Sequence, residues 1–194
     1  PGPCEVIVAD DGSTDATARL AQEAATRAPA NVTLRITGHY PNKGKGAAVR
    51  DGCLAAQGRF VLFSDADLAT PIEESAKLFR ALEEGADLAI GTRVHPNGSD
   101  QRGSQPLYRR LIGRLYNRLV GMIAVGGFRD TQCGFKAFRR DAAQYLFGSQ
   151  HITSIVFDTE ILYLARRSRL RIREVPVLWS NVGGSRMRVS ARQA

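Results

Sequence analysis

Cysteine is scarce in this chain: Cys4, Cys53 and Cys133 are its three, an odd number at wide and unrelated spacings. That argues against a disulfide framework and against a zinc site, and it suits a reducing cytosol. No stretch approaches the roughly 18 uninterrupted apolar residues of a membrane span, and no secretory signal is visible, so the chain is expected to be soluble or peripheral. The sequons Asn31-Val32-Thr33 and Asn97-Gly98-Ser99 would matter only in a secreted protein and are read as chance. There is one tryptophan, no internal repeat, no domain linker, and no signature of an RRM, KH or zinc-finger module. Acidic residues are in deficit as well, 19 against 27 Lys and Arg, for a net charge of +8. The surplus favours an anionic partner; nucleic acid, an anionic membrane and a phosphorylated substrate all satisfy it, so the placement of charge has to choose.

What is present is an alternation. Glu5 to Ala9, Val32 to Ile36, Phe60 to Phe63 and Asp87 to Ile90 are short apolar runs, separated by amphipathic segments at Thr14 to Ala28, Lys45 to Gln57 and Pro71 to Glu84. Strands apolar on both faces, spaced by helices of this length, predict an α/β fold with a mainly parallel sheet flanked by helices. Ser13 is expected to cap the first helix, and Pro71 with Glu73 and Glu74 to open the third. After a polar stretch from Val94 to Gln105, read as a long surface loop, the alternation weakens. Pro106 to Val125 and Phe157 to Arg169 read as helices, and Ile172 to Trp179 as a strand whose Pro176 marks an edge or a bulge. The whole of 1–194 is expected to form one domain.

The chemistry lies at strand ends. In open α/β sheets ligands bind beyond the carboxyl ends of the strands, so Asp10, Asp11, Asp65 and Asp67 are expected to meet in one crevice. Asp65 and Asp67 follow Val61-Leu62-Phe63-Ser64 and, one residue apart on extended backbone, point roughly the same way. Their mutual repulsion is relieved by a hard cation, Mg²⁺ or Mn²⁺, which typically takes one or two carboxylates plus waters and substrate phosphates. The polar strand end or helix cap that a single Asp would signify explains DAD and DDGSTD together poorly. A P-loop is excluded by spacing, because five residues separate Gly38 from Gly44 and Lys45 is followed by Gly46.

Asp10-Asp11-Gly12-Ser13-Thr14-Asp15, Asn42-Lys43-Gly44-Lys45-Gly46 and Asp65-Ala66-Asp67, in that order, resemble the nucleotide-sugar half of the inverting glycosyltransferases of family 2, which have the Rossmann-like GT-A fold. Gly91-Thr92-Arg93, Asp130-Thr131-Gln132-Cys133-Gly134-Phe135-Lys136 and Phe157-Asp158-Thr159-Glu160 extend the resemblance over nearly the whole chain. These later motifs resemble the polyprenyl-phosphate branch, the dolichyl-phosphate glucosyltransferases more than the mannose synthases. The resemblance implies a donor half at about 1–93 and an acceptor half at about 94–194. It implies that Asp10, Asp11 and Asp15 face base and ribose, that Lys45 lies near the nucleotide, that Asp65 lies near ribose and metal, and that Asp67 is the principal metal ligand. It also implies an opening strand that would precede this sequence, and a glutamine ligand in mannose synthases where Ala69 stands here.

The acceptor side is read from cations. Arg110, Arg114 and Arg118 form a basic stripe beside Leu111, Leu115 and Leu119, which fits either a helix lying in a membrane interface or a core-packed helix with a solvated face. If the acceptor is a polyprenyl phosphate, Arg93, Arg110, Arg114, Gln132 and Lys136 are the residues expected near it, with Arg93 and Lys136 also catalytic. A phosphate is already ionised and needs no strong general base. Asp158 stands where relatives with hydroxyl acceptors keep one, so it is either the base or a group that orients Arg or Lys, or, with Glu160, only helix N-terminal charge. Arg186, Arg188 and Arg192 either close over diphosphate or form a solvated tail. The expectation is transfer of glucose from UDP-glucose to a polyprenyl phosphate at the cytoplasmic face of a membrane. The rivals are a GDP-mannose donor, a saccharide hydroxyl acceptor, a silent nucleotide-binding domain, and a basic nucleic-acid module, disfavoured because acidic strand ends interrupt the positive charge.

Overall fold

A computed structural model of the chain describes residues 2–94 and 127–180. Strand β1 (Cys4–Asp10), helix α1 (Thr17–Ala25), β2 (Val32–Gly38), α2 (Lys45–Ala55) and β3 (Phe60–Ser64) follow one another as the alternation predicts. A short 3-10 turn (Ile72–Glu74) leads into α3 (Ser75–Glu83), then come β4 (Leu88–Thr92), β5 (Phe135–Arg139), α4 (Arg140–Gly148), α5 (Phe157–Arg167) and β6 (Ile172–Pro176). The basic stripe of Arg110, Arg114 and Arg118 and the tail arginines Arg186, Arg188 and Arg192 lie outside the described residues.

The α/β class holds, but the sheet is more mixed than expected. β1 and β2 pair in parallel as a two-stranded sheet; the other four strands run in the order β3-β5-β4-β6. β5 is antiparallel to both β3 and β4, while β4 and β6 are parallel. An antiparallel strand needs no crossover helix to reach its neighbour, so the alternation of strands with helices does not reveal β5. Its sequence, Phe-Lys-Ala-Phe-Arg, hides it further, because Lys136 interrupts the apolar run. β6 is at the sheet edge, where Pro176, which has no N–H, ends the strand.

The strand period of two sorts side chains to two cores. Val61, Phe63, Leu88, Ile90 and Phe138 face one way and pack with Cys53, Phe147, Phe157, Ile161 and Leu162 of α2, α4 and α5. Ala89, Phe135 and Ala137 face the other way and pack with Leu78, Ala81 and Leu82 of α3. Each such leucine or phenylalanine contributes about 1.5–3 kcal/mol of burial. α2 packs on β1, β2 and β3, so one helix ties the two sheets together and carries its N-terminal Lys45 to the carboxyl ends of the strands.

Helix α1 starts later than expected. Ser13 is not its cap: the Ser13 amide donates to Asp10 Oδ1 at 3.1 Å, and the Ser13 hydroxyl donates to the same oxygen. Asp15 serves the helix instead, accepting the Thr17 amide at 3.0 Å and the Thr17 hydroxyl at 2.5 Å. A short polar side chain in a turn bonds whichever neighbour the backbone offers, and here Gly12, at φ +74°, turns Ser13 back toward Asp10.

Candidate active site

The first group of carboxylates works as a loop organiser. Asp11 Oδ1 accepts the backbone amides of Lys43 at 2.8 Å and Gly44 at 3.0 Å, and Asp11 Oδ2 accepts the Asn42 side-chain amide at 2.7 Å. His39 Nε2 lies 2.9 Å from Asp11 Oδ1, and His39 Nδ1 lies 2.9 Å from Asp51 Oδ2 on α2. The loop from 39 to 44 is therefore strapped to the end of β1 by one carboxylate. A recess of about 340 Å³ opens beside it, lined by Asp10, Gly12, Ser13, Thr37, His39 and Tyr40. Asp15 lies on the way into α1 with its carboxylate accepting from Thr17.

A second contact fixes the start of α2. Gly44, at φ +106°, and Gly46 lie so close to the 152–153 backbone that a Cβ on them would meet Thr153 O at 2.5 Å and Ile152 O at 2.8 Å. The Gly46 amide donates to Thr153 O at 2.7 Å, and Gln150 Nε2 donates to Gly46 O at 2.9 Å. Glu160 of α5 holds that segment from the other side, accepting the amides of His151 and Ile152 at 3.0 and 2.7 Å. The glycines of the Asn-Lys-Gly-Lys-Gly motif are thus required by close backbone approach.

Lys45 reaches the second carboxylate group. Its Nζ is 2.7 Å from Asp65 Oδ1 and lies 5.6 Å from the centre of the Phe63 ring. Asp65 donates its amide to Gly134 O at 2.9 Å, and a Cβ on Gly134 would overlap the Asp65 carboxylate. Asp67 is exposed, with Oδ1 accepting the Ala69 amide at 3.1 Å across a turn that places Leu68 at φ +50°. Among the described residues no group of three or more His, Cys, Asp or Glu side chains could hold a metal. Two aspartates at a strand end, one of them exposed, nevertheless match the donor set of a hard divalent cation that takes its other oxygens from water and phosphate.

The later motifs resolve into two ion pairs. Arg93 grips Asp130 through both fork nitrogens, Nε at 2.6 Å and a terminal nitrogen at 2.7 Å, and its guanidinium lies 5.5 Å from the Trp179 ring centre. Asp130 is fully buried, so this bidentate pair joins the end of β4 to the segment before β5. Lys136 and Asp158 are paired at 2.5 Å with only 1% and 3% of their side chains exposed, and Lys136 also donates to Cys133 O at 2.7 Å. Burial pushes the Asp158 carboxyl up, with the Lys136 ammonium opposing that shift. Burial likewise raises the Cys133 thiol to about 11. Gln132 is half-buried in the segment between Asp130 and Lys136, while Arg110 and Arg114 lie outside the described residues.

The structure therefore brings Lys45 and Asp65 together, with Asp67 two residues on, and separately brings Lys136 and Asp158 together. Two expectations for the acceptor side meet a geometric obstacle: Lys136 points into the core toward Asp158, and Asp158 is withdrawn from solvent. His39, Asp51, Asp130 and Gly134 were not singled out by sequence reasoning as site residues. Their roles depend on partners 12 to 69 positions away, and no local pattern signals such pairings.

The matching family model is that of glycosyl transferase family 2, over residues 1–147, and the chain belongs to this family. The chain is 41% identical to the dolichyl-phosphate beta-glucosyltransferase of Drosophila melanogaster and 35% identical to that of Homo sapiens, in each case over 94% of its own length. It spans 57% and 58% of those relatives. Among solved structures it is similar to glucosyl-3-phosphoglycerate synthase from Mycobacterium tuberculosis in complex with Mn²⁺, UDP-glucose and phosphoglyceric acid, with a TM-score of 0.61 at 21% identity over 91% of this chain and 60% of that one. That likeness shows the GT-A-like fold.

Proposed function

We propose that the chain is the catalytic region of an inverting, metal-dependent hexosyltransferase that moves glucose from UDP-glucose to a polyprenyl phosphate. The names of the curated relatives support the reaction, and the neighbour that binds Mn²⁺ with UDP-glucose supports the donor and the metal. The observation that carries the acceptor reading is the withdrawal of Asp158. A hydroxyl acceptor needs a base within hydrogen-bond reach, whereas the carboxylate at that place is buried against Lys136. A phosphate acceptor arrives ionised, so positioning and charge neutralisation carry its reaction.

In this reading Asp65 and Asp67 hold the cation, which when bound offsets the charge that develops on the departing diphosphate. Lys45 is paired with Asp65 and lies at the start of α2, where its ammonium and the helix dipole both favour a phosphate. Asp10 and the strapped loop form the donor recess. Arg93, held in its fork by Asp130, is a cation at the rim of the acceptor side. Among the described residues no helix is long and apolar enough to cross a membrane. We place this catalytic region at a membrane surface because its acceptor is a lipid phosphate.

Calorimetric titration with UDP, GDP, UDP-glucose and GDP-mannose, each with and without Mn²⁺, tests the donor half. Metal-dependent binding confined to uridine nucleotides is the expected result; guanosine preference would assign mannose instead. Transfer of radiolabelled glucose to a polyprenyl phosphate in detergent, absent with a saccharide acceptor, tests the other half.

A further inference from the structure

We propose that His39 is a positioning residue for the donor nucleotide: it clamps Asp11 so that the Asp11 carboxylate gathers the 42–44 backbone into the shape the nucleotide meets. This rests on the reading of the Asp11 loop as the donor site. The imidazole is 10% exposed and uses both ring nitrogens, Nε2 toward Asp11 Oδ1 and Nδ1 toward Asp51 Oδ2, each at 2.9 Å. An ionised carboxylate only accepts, so it is an N–H on Nε2 that would donate to Asp11, while Nδ1 lies against Asp51. The His39 amide also donates to Asp10 O, at 3.3 Å, which anchors the residue to β1 from its backbone side.

Asp11 receives more bonds than any single cap requires: two amides, a side-chain amide and the imidazole. Without His39, the Asp11 carboxylate keeps Asn42, Lys43 and Gly44 but loses its hold on the β2 side, and the link from the end of β1 to α2 through Asp51 is lost, so the 42–44 loop and its carboxylate can shift together. His39 also lines the recess beside the loop, so the clamp and the ligand space share one wall. The role is to shape the donor loop, with chemistry left to other groups.

Two readouts test this on the full chain: amide hydrogen exchange at Lys43 and Gly44, and calorimetric affinity for UDP with Mn²⁺. In His39→Ala, exchange at those two amides is expected to rise about tenfold while the β1 and β2 amides keep their protection, and UDP affinity to fall about tenfold, the scale of a hydrogen bond to a charged group. His39→Gln, whose amide can still donate to Asp11, is expected to restore part of both. Unchanged exchange at Lys43 and Gly44 in a folded His39→Ala overturns the clamp. Faster exchange with unchanged UDP affinity overturns the positioning role. If the native chain itself does not bind UDP, the donor-site reading fails, and the exchange arm still decides whether His39 sets the loop. Should His39→Ala not fold, Asp51→Ala keeps the imidazole but removes its second anchor, and exchange at Lys43 and Gly44 is expected to rise and UDP affinity to fall, the same directions as for His39→Ala; no change in either overturns the clamp.

Discussion

Replacing Lys136 by Met leaves the Asp158 carboxylate buried with its cation gone. The two side chains are 1% and 3% exposed and 2.5 Å apart, so water cannot substitute for the missing partner. Removing one member of a buried pair typically costs about 3–5 kcal/mol, because a desolvated charge is left unmatched. A domain of this size is stable by about 5–15 kcal/mol, so Lys136→Met folds with a much reduced margin. At about 2–4 °C per kcal/mol, its melting temperature falls by about 6–20 °C. Asp158→Leu leaves the ammonium unmatched and behaves similarly. The double variant Lys136→Met with Asp158→Leu recovers most of the loss, since an apolar pair of similar volume carries no desolvation penalty. Urea unfolding of the native chain, both single variants and the double variant closes the cycle, and a coupling of about 3 kcal/mol or more is expected. Single losses under about 1 kcal/mol that simply add would refute the reasoning, and would return Asp158 to consideration as a solvent-accessible base.

Gly134→Ala is expected to abolish metal-dependent UDP binding in calorimetry while the chain stays folded, because the new Cβ overlaps the Asp65 carboxylate and drives it off Lys45. The three thiols are expected to differ: at pH 8 a thiol reagent modifies the exposed Cys4, while Cys53 and Cys133, raised by burial to about 12 and about 11, react only on denaturation. Asp87 is held below the usual carboxylate range by the Arg171 side-chain hydrogen bonds, with the Arg171 amide adding a further bond, and together these fasten the start of β4 to the start of β6. A depressed carboxyl stabilises above its unfolded-state range and loses that contribution as pH falls through its folded value. Asp87→Asn should therefore melt below the native chain at pH 7, with the gap closing in strong acid.

Much of the fold was legible because its signals are local. The apolar runs at 5–9, 32–36, 60–63 and 87–90 fall within or overlap β1, β2, β3 and β4, and α2 and α5 begin at the residues their patterns indicate, Lys45 and Phe157. β5 and α4 were missed. β5 pairs antiparallel between two strands that precede it in sequence, and its Lys136, read from the sequence as a cation for the acceptor phosphate, is instead buried against Asp158, 22 positions later. Ser13 was misassigned as a helix cap because its hydroxyl had two neighbours to choose between, and backbone geometry at Gly12 decided for Asp10.

The sequence by itself determined the residue types of the site: carboxylates at strand ends, a glycine-flanked lysine opening a helix, and a family pattern that the comparisons support. These follow from order along the chain, where propensity, periodicity and motif spacing act over a few residues. Only the tertiary structure decided which charge meets which. Lys45 went to Asp65, Arg93 to Asp130, Lys136 to Asp158, and Asp11 to an imidazole and a loop some thirty positions away. Buried polar groups must find partners, and the partner is whichever group packing brings within about 3 Å.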